Sequence, residues 1–340
     1  MMKKNRILTY DFLRGVAIIL MVVGHCILVY PINLHEILWC DLLYQWIYTF
    51  HMPLLFFVSG CVYKYGDFKS YISKKVNRIL VPYIIFGIIN KFLHSYGASL
   101  VNQHSELSTL PASLFLGYSN WFLFTILLIF ITYPLIDRLI GNKIIQLIIA
   151  LIILIFVPSS SFPGIFQLNN YIIYLPFFMM GSCLKSFFTM LQPRKYLLAI
   201  AILCLVLHTS IFYLTYGLEN DSIYLMKNLM AMLMIICLSC LFVDHEQHVR
   251  HDNHLGIITT FVQKCSMFSL QIYIFNGYWL VIGRTFLCNY CHITSPFVLI
   301  IVLSMFNLMM SYLICTYILP KSDLLNWICG NGKPKRISNC

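Results

Sequence analysis

The chain has 340 residues and a formal net charge of +11, yet only 10% of its residues are charged and 60% are hydrophobic. Soluble domains usually carry about 25% charged residues, so this composition excludes an ordinary soluble enzyme and indicates a polytopic membrane protein. The cysteines are scattered through apolar segments, where a free thiol behaves as a small hydrophobic side chain. The basic residues form no stripe interleaved with aromatic residues, so nucleic acid is not an expected partner.

Apolar segments recur along the whole chain. A helix needs about 20 apolar residues to cross the hydrocarbon core, and the third and fifth segments are short enough to tilt or to span only in part. The predicted fold is all-α, a membrane helical bundle of about ten transmembrane helices that forms one domain over residues 1–340, with no appended soluble domain. The ten predicted spans are 7–30, 38–63, 79–94, 113–136, 143–158, 170–187, 196–216, 224–243, 263–283 and 296–319.

The distribution of basic residues predicts the orientation of these spans. Nineteen of the 23 Lys and Arg residues lie at the N-terminus, in the even-numbered loops and their flanks, or in the C-terminal tail. Segments rich in Lys and Arg stay on the cytoplasmic side. Both termini are therefore predicted to be cytoplasmic.

The first predicted span carries three ionisable residues, Asp11, Arg14 and His25. Arg14 and His25 are eleven residues apart, so on a helix they face the same way and lie about 16 Å apart along the axis. Asp11 precedes Arg14 by three residues and can pair with it. Such residues face a protein interior or a hydrated cavity and usually mark a functional site. The alternative is a buried ion pair that only fixes helix packing.

The second predicted span contains His51 and Pro53 in the stretch "FHMPLLFFVSG". A proline removes a backbone donor and frees a carbonyl nearby. A single histidine in a span is as often a core residue as a functional one. With His25 on the adjoining span, however, a paired acid and base become plausible, because imidazole exchanges a proton near neutral pH.

The second loop, "KYGDFKSYISKKVNRILVPY", is the most basic of the predicted cytoplasmic segments. Lys75 and Arg78 are three residues apart and can converge on one anion. They predict a seat for the phosphate groups of a cytosolic cofactor. The alternative is ordinary positive charge on the cytoplasmic side.

These stretches resemble the bacterial acyltransferase-3 family of integral membrane proteins. "RILTYDFLRGVAIILMVVGHC" is similar to its first helix, with the Arg-x10-His motif at Arg14 and His25. "FHMPLLFFVSG" resembles its second helix, "KKVNRILVPY" stands at its Arg-x-x-Arg motif, and "WFLFTILLIFITYPL" resembles its Trp-Phe-Leu helix. The resemblance is closest to the branch described as fucose 4-O-acetylase-like, and most of it lies in the first 140 residues.

The resemblance implies an O-acetyltransferase of the plasma (bacterial inner) membrane. It implies cytosolic acetyl-CoA as the acyl donor and a sugar or polysaccharide hydroxyl as the acceptor. No metal or prosthetic group is expected. The chain departs from the family pattern at Lys75, where arginine is usual, and at Asn276 in "SLQIYIFNGYWL", where histidine is frequent.

The residues and the resemblance together give a set of candidate site residues. Ester formation needs a base for the acceptor hydroxyl and donors for the developing oxyanion. His25 is the predicted base and His51 its assistant, with Arg14 and Asp11 completing the catalytic set. The predicted donor-binding residues are Arg14, Lys75, Arg78 and Tyr83.

Other functions and motifs were weighed against this hypothesis. Intramembrane Arg and His also occur in transporters and flippases, and a scaffold subunit of a glycan assembly complex is a third alternative. "CNYCH" at 288–292 matches a haem attachment pattern, but it lies in a short loop and is interpreted as a coincidence, with haem attachment or a disulfide between Cys288 and Cys291 as the alternatives. "DHEQHVRHDNH" at 244–254 is predicted to be a solvated cytoplasmic loop, with metal binding as the alternative.

Overall fold

The computed structural model describes residues 8–29, 31–33, 36–96, 106–157, 162–190, 196–218, 222–252 and 256–332. Within these ranges the chain is α-helical and contains no strand. The predicted all-α membrane bundle is thus confirmed. In chain order the α-helices are α1 (Leu8–Ile27), α2 (Leu38–Tyr48), α3 (His51–Cys61), α4 (Phe68–Lys75), α5 (Val81–Tyr96), α6 (Leu110–Phe115), α7 (Trp121–Ile140), α8 (Lys143–Phe156), α9 (Leu168–Met190), α10 (Tyr196–Thr215), α11 (Ser222–Asp252), α12 (Ile257–Met267), α13 (Ser269–Arg284), α14 (Pro296–Leu313) and α15 (Asp323–Ile328).

Several helices have the length and apolar character of membrane spans. Among the described residues, six are long and apolar enough to cross a bilayer, and the bent pair of α12 with α13 brings the number to seven if it is one span. Helix α8 has only 14 residues, as its short predicted span suggested. The protein is a multi-pass membrane protein by this measure, whereas ten crossings and cytoplasmic termini remain predictions.

The second predicted span, 38–63, is not one continuous helix. Helix α2 ends at Tyr48 and α3 begins at His51. Pro53 explains the break, because it lacks the N–H that a continuous helix would donate to residue 49. The interruption places Pro53 in the first turn of α3, where the missing N–H has no intrahelical partner to lose.

The segment between the second and third predicted spans is mostly helical. Asp67 begins α4 by accepting a hydrogen bond from the backbone N–H of Ser70 at 2.9 Å, as helix N-caps do. The helix continues through a π-helical turn at Val76–Leu80 into α5. A single helix of 29 residues, Phe68–Tyr96, thus replaces a basic loop followed by a short span.

The ninth predicted span is also broken. Helices α12 and α13 meet at Phe268 with a bend of 86°. Helix α12 begins at Ile257, before the predicted start of the span, and packs closely on α1. A Cβ atom at Gly15 would lie 2.3 Å from the carbonyl oxygen of Val262, so only glycine permits this approach of the two backbones.

Helices α3 and α9 cross through a reciprocal glycine contact. A Cβ atom at Gly60 would lie 2.0 Å from the carbonyl oxygen of Phe178, and one at Gly181 would lie 2.0 Å from that of Phe57. Small residues let membrane helices approach this closely and gain van der Waals contact. The crossing brings the C-terminal end of α3 next to the part of α9 that follows Gly181.

We predict that Gly181→Ala destabilises the protein by about 1–3 kcal/mol, because the added methyl group overpacks the crossing of α3 and α9. Thermal unfolding of the purified protein in detergent measures the effect. Gly277→Ala is the matched control, since its Cβ would meet nothing within 4 Å on a helix. Equal thermal stability of the two variants would contradict the prediction.

Candidate active site

The two motif residues of α1 lie against opposite ends of α3. Arg14 interacts electrostatically with the buried thiol of Cys61, at the last residue of α3. His25 interacts electrostatically with His51, at the first residue of α3. Helices α1 and α3 therefore run antiparallel, and Arg14 and His25 both face α3. The polar stripe of α1 is covered by protein, as expected for charged groups at membrane depth.

His51 is held in one orientation by the break between α2 and α3. It is 2% exposed, and its Nδ1 atom lies 2.9 Å from the carbonyl oxygen of Ile47. A carbonyl oxygen only accepts, so in the neutral ring Nδ1 carries the proton and Nε2 presents its lone pair. The ring of Tyr48 packs edge-on against the imidazole, with 4.6 Å between ring centroids. His51 is therefore fixed as a proton acceptor at Nε2.

A cluster of cations lies beside Arg14. The ammonium group of Lys75 interacts electrostatically with both Arg78 and Arg14. Lys75 is partly buried and lies over the Phe130 ring, 3.3 Å from its centroid, whereas Arg78 is exposed. The structure therefore brings three of the predicted donor-binding residues together. They are Arg14 of α1, Lys75 of α4 and Arg78 of the π-helical turn that joins α4 to α5.

Lys185 of α9 belongs to the same region and was missed as a site residue. It interacts electrostatically with Cys61, as Arg14 does, and its Nζ donates to the carbonyl of Tyr63 at 3.2 Å. The Tyr10 hydroxyl of α1 donates to the Lys185 carbonyl at 2.8 Å. In the sequence, Lys185 is one of the 19 basic residues that predict the orientation of the spans. Its place in the site follows from the glycine crossing of α3 and α9.

A carboxylate of α7 lies near these cations. Asp137 forms an ion pair with Lys143 and accepts a hydrogen bond from Gln146 at 2.9 Å. It also interacts electrostatically with Lys185. Asp137 is therefore shared between two lysines.

Asp11 contacts α12, and Tyr83 contacts α6. The Ser266 hydroxyl of α12 lies 3.4 Å from the Asp11 carboxylate, which is 8% exposed. The Tyr83 hydroxyl donates to the carbonyl of Leu114 at 2.5 Å and so joins α5 to α6. Asp11 thus connects α1 to the bent pair of α12 with α13. The catalytic role of Asp11 and the donor-binding role of Tyr83 remain predictions.

An aromatic wall lies near the two histidines. Tyr174 stacks on Phe56 with 4.5 Å between ring centroids and on Trp121 with 5.5 Å. Tyr48, which packs on His51, lies close to Tyr174 and Tyr273. We use the term aromatic wall for Tyr48, Phe56, Trp121, Tyr174 and Tyr273. Only Trp121 drew attention in the sequence, through the Trp-Phe-Leu motif.

Asn276, where the resemblance led us to expect histidine, takes part in a buried amide pair. The Nδ2 group of Asn307 donates to the side-chain oxygen of Asn276 at 2.8 Å and to its carbonyl at 3.0 Å. Both residues are buried. At this position the chain has an amide that joins α13 to α14 in place of a group that can take up a proton.

Residues 244–252 of the acidic and histidine-rich stretch are helical and do not form the predicted loop. Helix α11 extends to Asp252, and Glu246 within it is 8% exposed. Its carboxylate accepts hydrogen bonds from the backbone N–H of Thr9 at 2.8 Å and from the Thr9 hydroxyl at 2.6 Å. A carboxylate stabilises the first turn of a helix by satisfying its free donors. Glu246 therefore anchors the start of α1, five residues before Arg14.

The other residues set aside in the sequence have a limited description. The side chains of His245, His248 and His251, and all of His254, lie outside the described residues, as do Lys3, Lys4 and Arg6. Cys288 and Cys291 are free thiols. Among the described residues no group of three or more His, Cys, Asp or Glu side chains could hold a metal ion.

Fold and site together define a multi-pass membrane protein whose first helix carries a protein-covered stripe of ionisable groups. The model of the acyltransferase-3 family, described as an acyltransferase domain, matches residues 7–316. The chain therefore belongs to the acyltransferase-3 family.

The chain is also similar to the nodulation protein NolL of Sinorhizobium fredii (strain NBRC 101917 / NGR234). The two are 39% identical over 56 residues, which is 16% of this chain and 15% of that protein. No solved structure matches the chain.

We predict that Glu246→Gln lowers the stability of the protein by about 1–3 kcal/mol, because an ionised acceptor of two buried donors is replaced by a neutral amide. Thermal unfolding in detergent measures the loss. Glu106→Gln, at an exposed position, serves as the matched control. In a Thr9→Val background the cost of Glu246→Gln should shrink, and an unchanged cost would show that the two residues are not coupled.

Proposed function

We propose that this acyltransferase transfers an acetyl group from cytosolic acetyl-CoA to a hydroxyl of a cell-surface glycan in the plasma (bacterial inner) membrane. The main support is Lys75, whose ammonium group lies within interaction range of the positive charges of both Arg78 and Arg14. Like charges at close range destabilise a protein, the more so where the dielectric constant is low. A polyanionic ligand removes that cost, and the phosphate groups of CoA supply the negative charge.

The position of these cations suits a donor that enters from the cytoplasm. In the predicted orientation, the N-terminal end of α1 and the α4 end of the long helix face that side. Lys75 is partly buried and Arg78 is exposed, so a phosphate-bearing chain can contact first Arg78 and then Lys75. Lysine in place of arginine keeps the charge but not the bidentate geometry. Lys185 adds a further positive charge beside Cys61.

His25 lies farther along α1, next to His51 of α3. The thioester end of the donor would reach these two histidines. In the proposed reaction the acceptor hydroxyl oxygen attacks the thioester carbonyl carbon, and His25 takes the hydroxyl proton. The tetrahedral intermediate then expels the CoA sulfur, so the C–S bond breaks as the ester forms. His25 passes the proton to this sulfur, and CoA leaves as the free thiol. His51, fixed with its Nε2 lone pair available, assists the proton transfer, and Arg14 holds the donor.

The aromatic wall is the proposed contact for the acceptor. Aromatic side chains combine a large apolar face with polar groups at their edges, which suits the alternation of C–H faces and hydroxyl groups on a sugar ring. Tyr48 is the member that touches His51 directly. A sugar on this wall would present a hydroxyl to the histidines.

We predict that Lys75→Gln and Arg78→Gln each weaken the binding of acetyl-CoA by about tenfold, since a charge-assisted hydrogen bond to phosphate is lost. Isothermal titration of the purified protein measures the dissociation constant and requires no acceptor. Lys69→Gln is the matched control, because Lys69 is an exposed lysine of the same helix. Wild-type affinity in both site variants, or an equal loss in the control, would remove the cations from the donor site.

We predict that His25→Ala abolishes acetyl transfer without weakening acetyl-CoA binding, because the base is lost while the cation cluster stays intact. Nuclear magnetic resonance of envelope glycans from cells with equal membrane levels of the two proteins measures their O-acetyl content. His94→Ala, in α5, is the control for loss of a histidine elsewhere. Unchanged acetylation in the His25→Ala cells contradicts the proposed role.

A further inference from the structure

An apolar groove lies between α12 and α14, outside the site described above. Its volume is about 770 Å³. The two walls are α12, with Ile257 and Phe261, and α14, with Ile301, Met305 and Met309. These side chains are all exposed, so the groove opens on the outer surface of the bundle, where lipid surrounds a membrane protein.

Among the residues that the structure describes, a single charged one lines this groove. Lys264 of α12 donates from Nζ to the Tyr312 hydroxyl at 3.0 Å and lies over the Tyr312 ring, 4.9 Å from its centroid. Both are lining residues, and the other lining residues are uncharged. Lys264 is exposed, so its remaining N–H groups are accessible. The groove therefore has a cationic end with hydrogen-bond donors and an apolar remainder.

The dimensions of the groove match one lipid chain. Ile301 and Tyr312 are eleven residues apart, which is about 16 Å along a helix. One leaflet of the hydrocarbon core is about 15 Å thick, half of the whole. An acyl chain laid along α14 from Tyr312 would end near Ile301.

We propose that this groove binds one anionic phospholipid of the surrounding bilayer, with its phosphate on Lys264 and Tyr312 and an acyl chain along α14. The charge decides between lipid classes, because an exposed lysine attracts a headgroup of net negative charge and gains less from a zwitterionic one. In the predicted orientation, Lys264 lies on the cytoplasmic side, so the lipid belongs to the cytoplasmic leaflet.

The groove borders the helix that supports the polar stripe. Helix α12 packs on α1 where Gly15 meets Val262, and its Ser266 contacts Asp11. A lipid between α12 and α14 thus stabilises the helix pair against which the N-terminal half of α1 rests. Binding of the lipid is therefore expected to raise the thermal stability of the whole protein.

The experiment uses the full-length protein, purified in a neutral detergent and freed of lipid. Dioleoyl phosphatidylglycerol and dioleoyl phosphatidylcholine are titrated separately, and native mass spectrometry counts bound lipid while thermal unfolding reports stabilisation. The expected result is one tightly bound phosphatidylglycerol, with about tenfold weaker binding in Lys264→Gln because its charged hydrogen bond is lost. Lys227→Gln, at an exposed lysine of α11, should bind phosphatidylglycerol like the wild type.

Two further arms separate the parts of the proposal. Met305→Trp fills the groove and should weaken the binding of phosphatidylglycerol while Lys264 remains in place. Glycerol 3-phosphate carries the charge without a chain and should not stabilise the protein. Equal binding of the two phospholipids, or no effect of Lys264→Gln, would overturn the proposal. So would stabilisation by glycerol 3-phosphate as strong as that by phosphatidylglycerol, because the chain would then contribute nothing.

Discussion

The charged stripe of α1 requires the protein to supply its own polar surroundings. A cationic side chain at membrane depth is costly unless it faces protein or water. Here the antiparallel partner α3 covers the stripe, with Cys61 beside Arg14 and His51 beside His25. The glycine crossing of α3 with α9 and the anchoring of α1 by Glu246 both serve to keep this pair of helices in register.

Two of the helices next to α1 are broken, and both breaks place polar groups near it. The interruption at Thr49 and Phe50 lets the Ile47 carbonyl accept a hydrogen bond from the ring of His51. The bend at Phe268 brings the Ser266 hydroxyl to the Asp11 carboxylate. Irregular backbone at membrane depth is tolerated where it is buried in protein or lines a water-filled cavity. The breaks are therefore consistent with a site inside the bundle.

The local features of the site were predictable, and the distant ones were not. Helical periodicity alone places Arg14 and His25 on one face of α1, and the structure covers that face with α3. Lys185 and Glu246 lacked such a signal, because their partners are far away in the chain. Glu246 and Thr9, for example, are 237 residues apart. Hydropathy also gives no sign that the segment between the second and third predicted spans is helical, because its helix begins at the Asp67 cap and consists largely of polar residues.

The sequence by itself determined the membrane character, the helical class and the family, because hydropathy and short motifs depend on neighbouring residues only. It also determined which side chains of α1 share a face. The tertiary structure decided which groups meet across helices: the cation cluster with Lys185, the fixed ring of His51 and the groove at Lys264. These depend on close backbone approach and on breaks in helices, and both are settled by packing between segments remote in the chain.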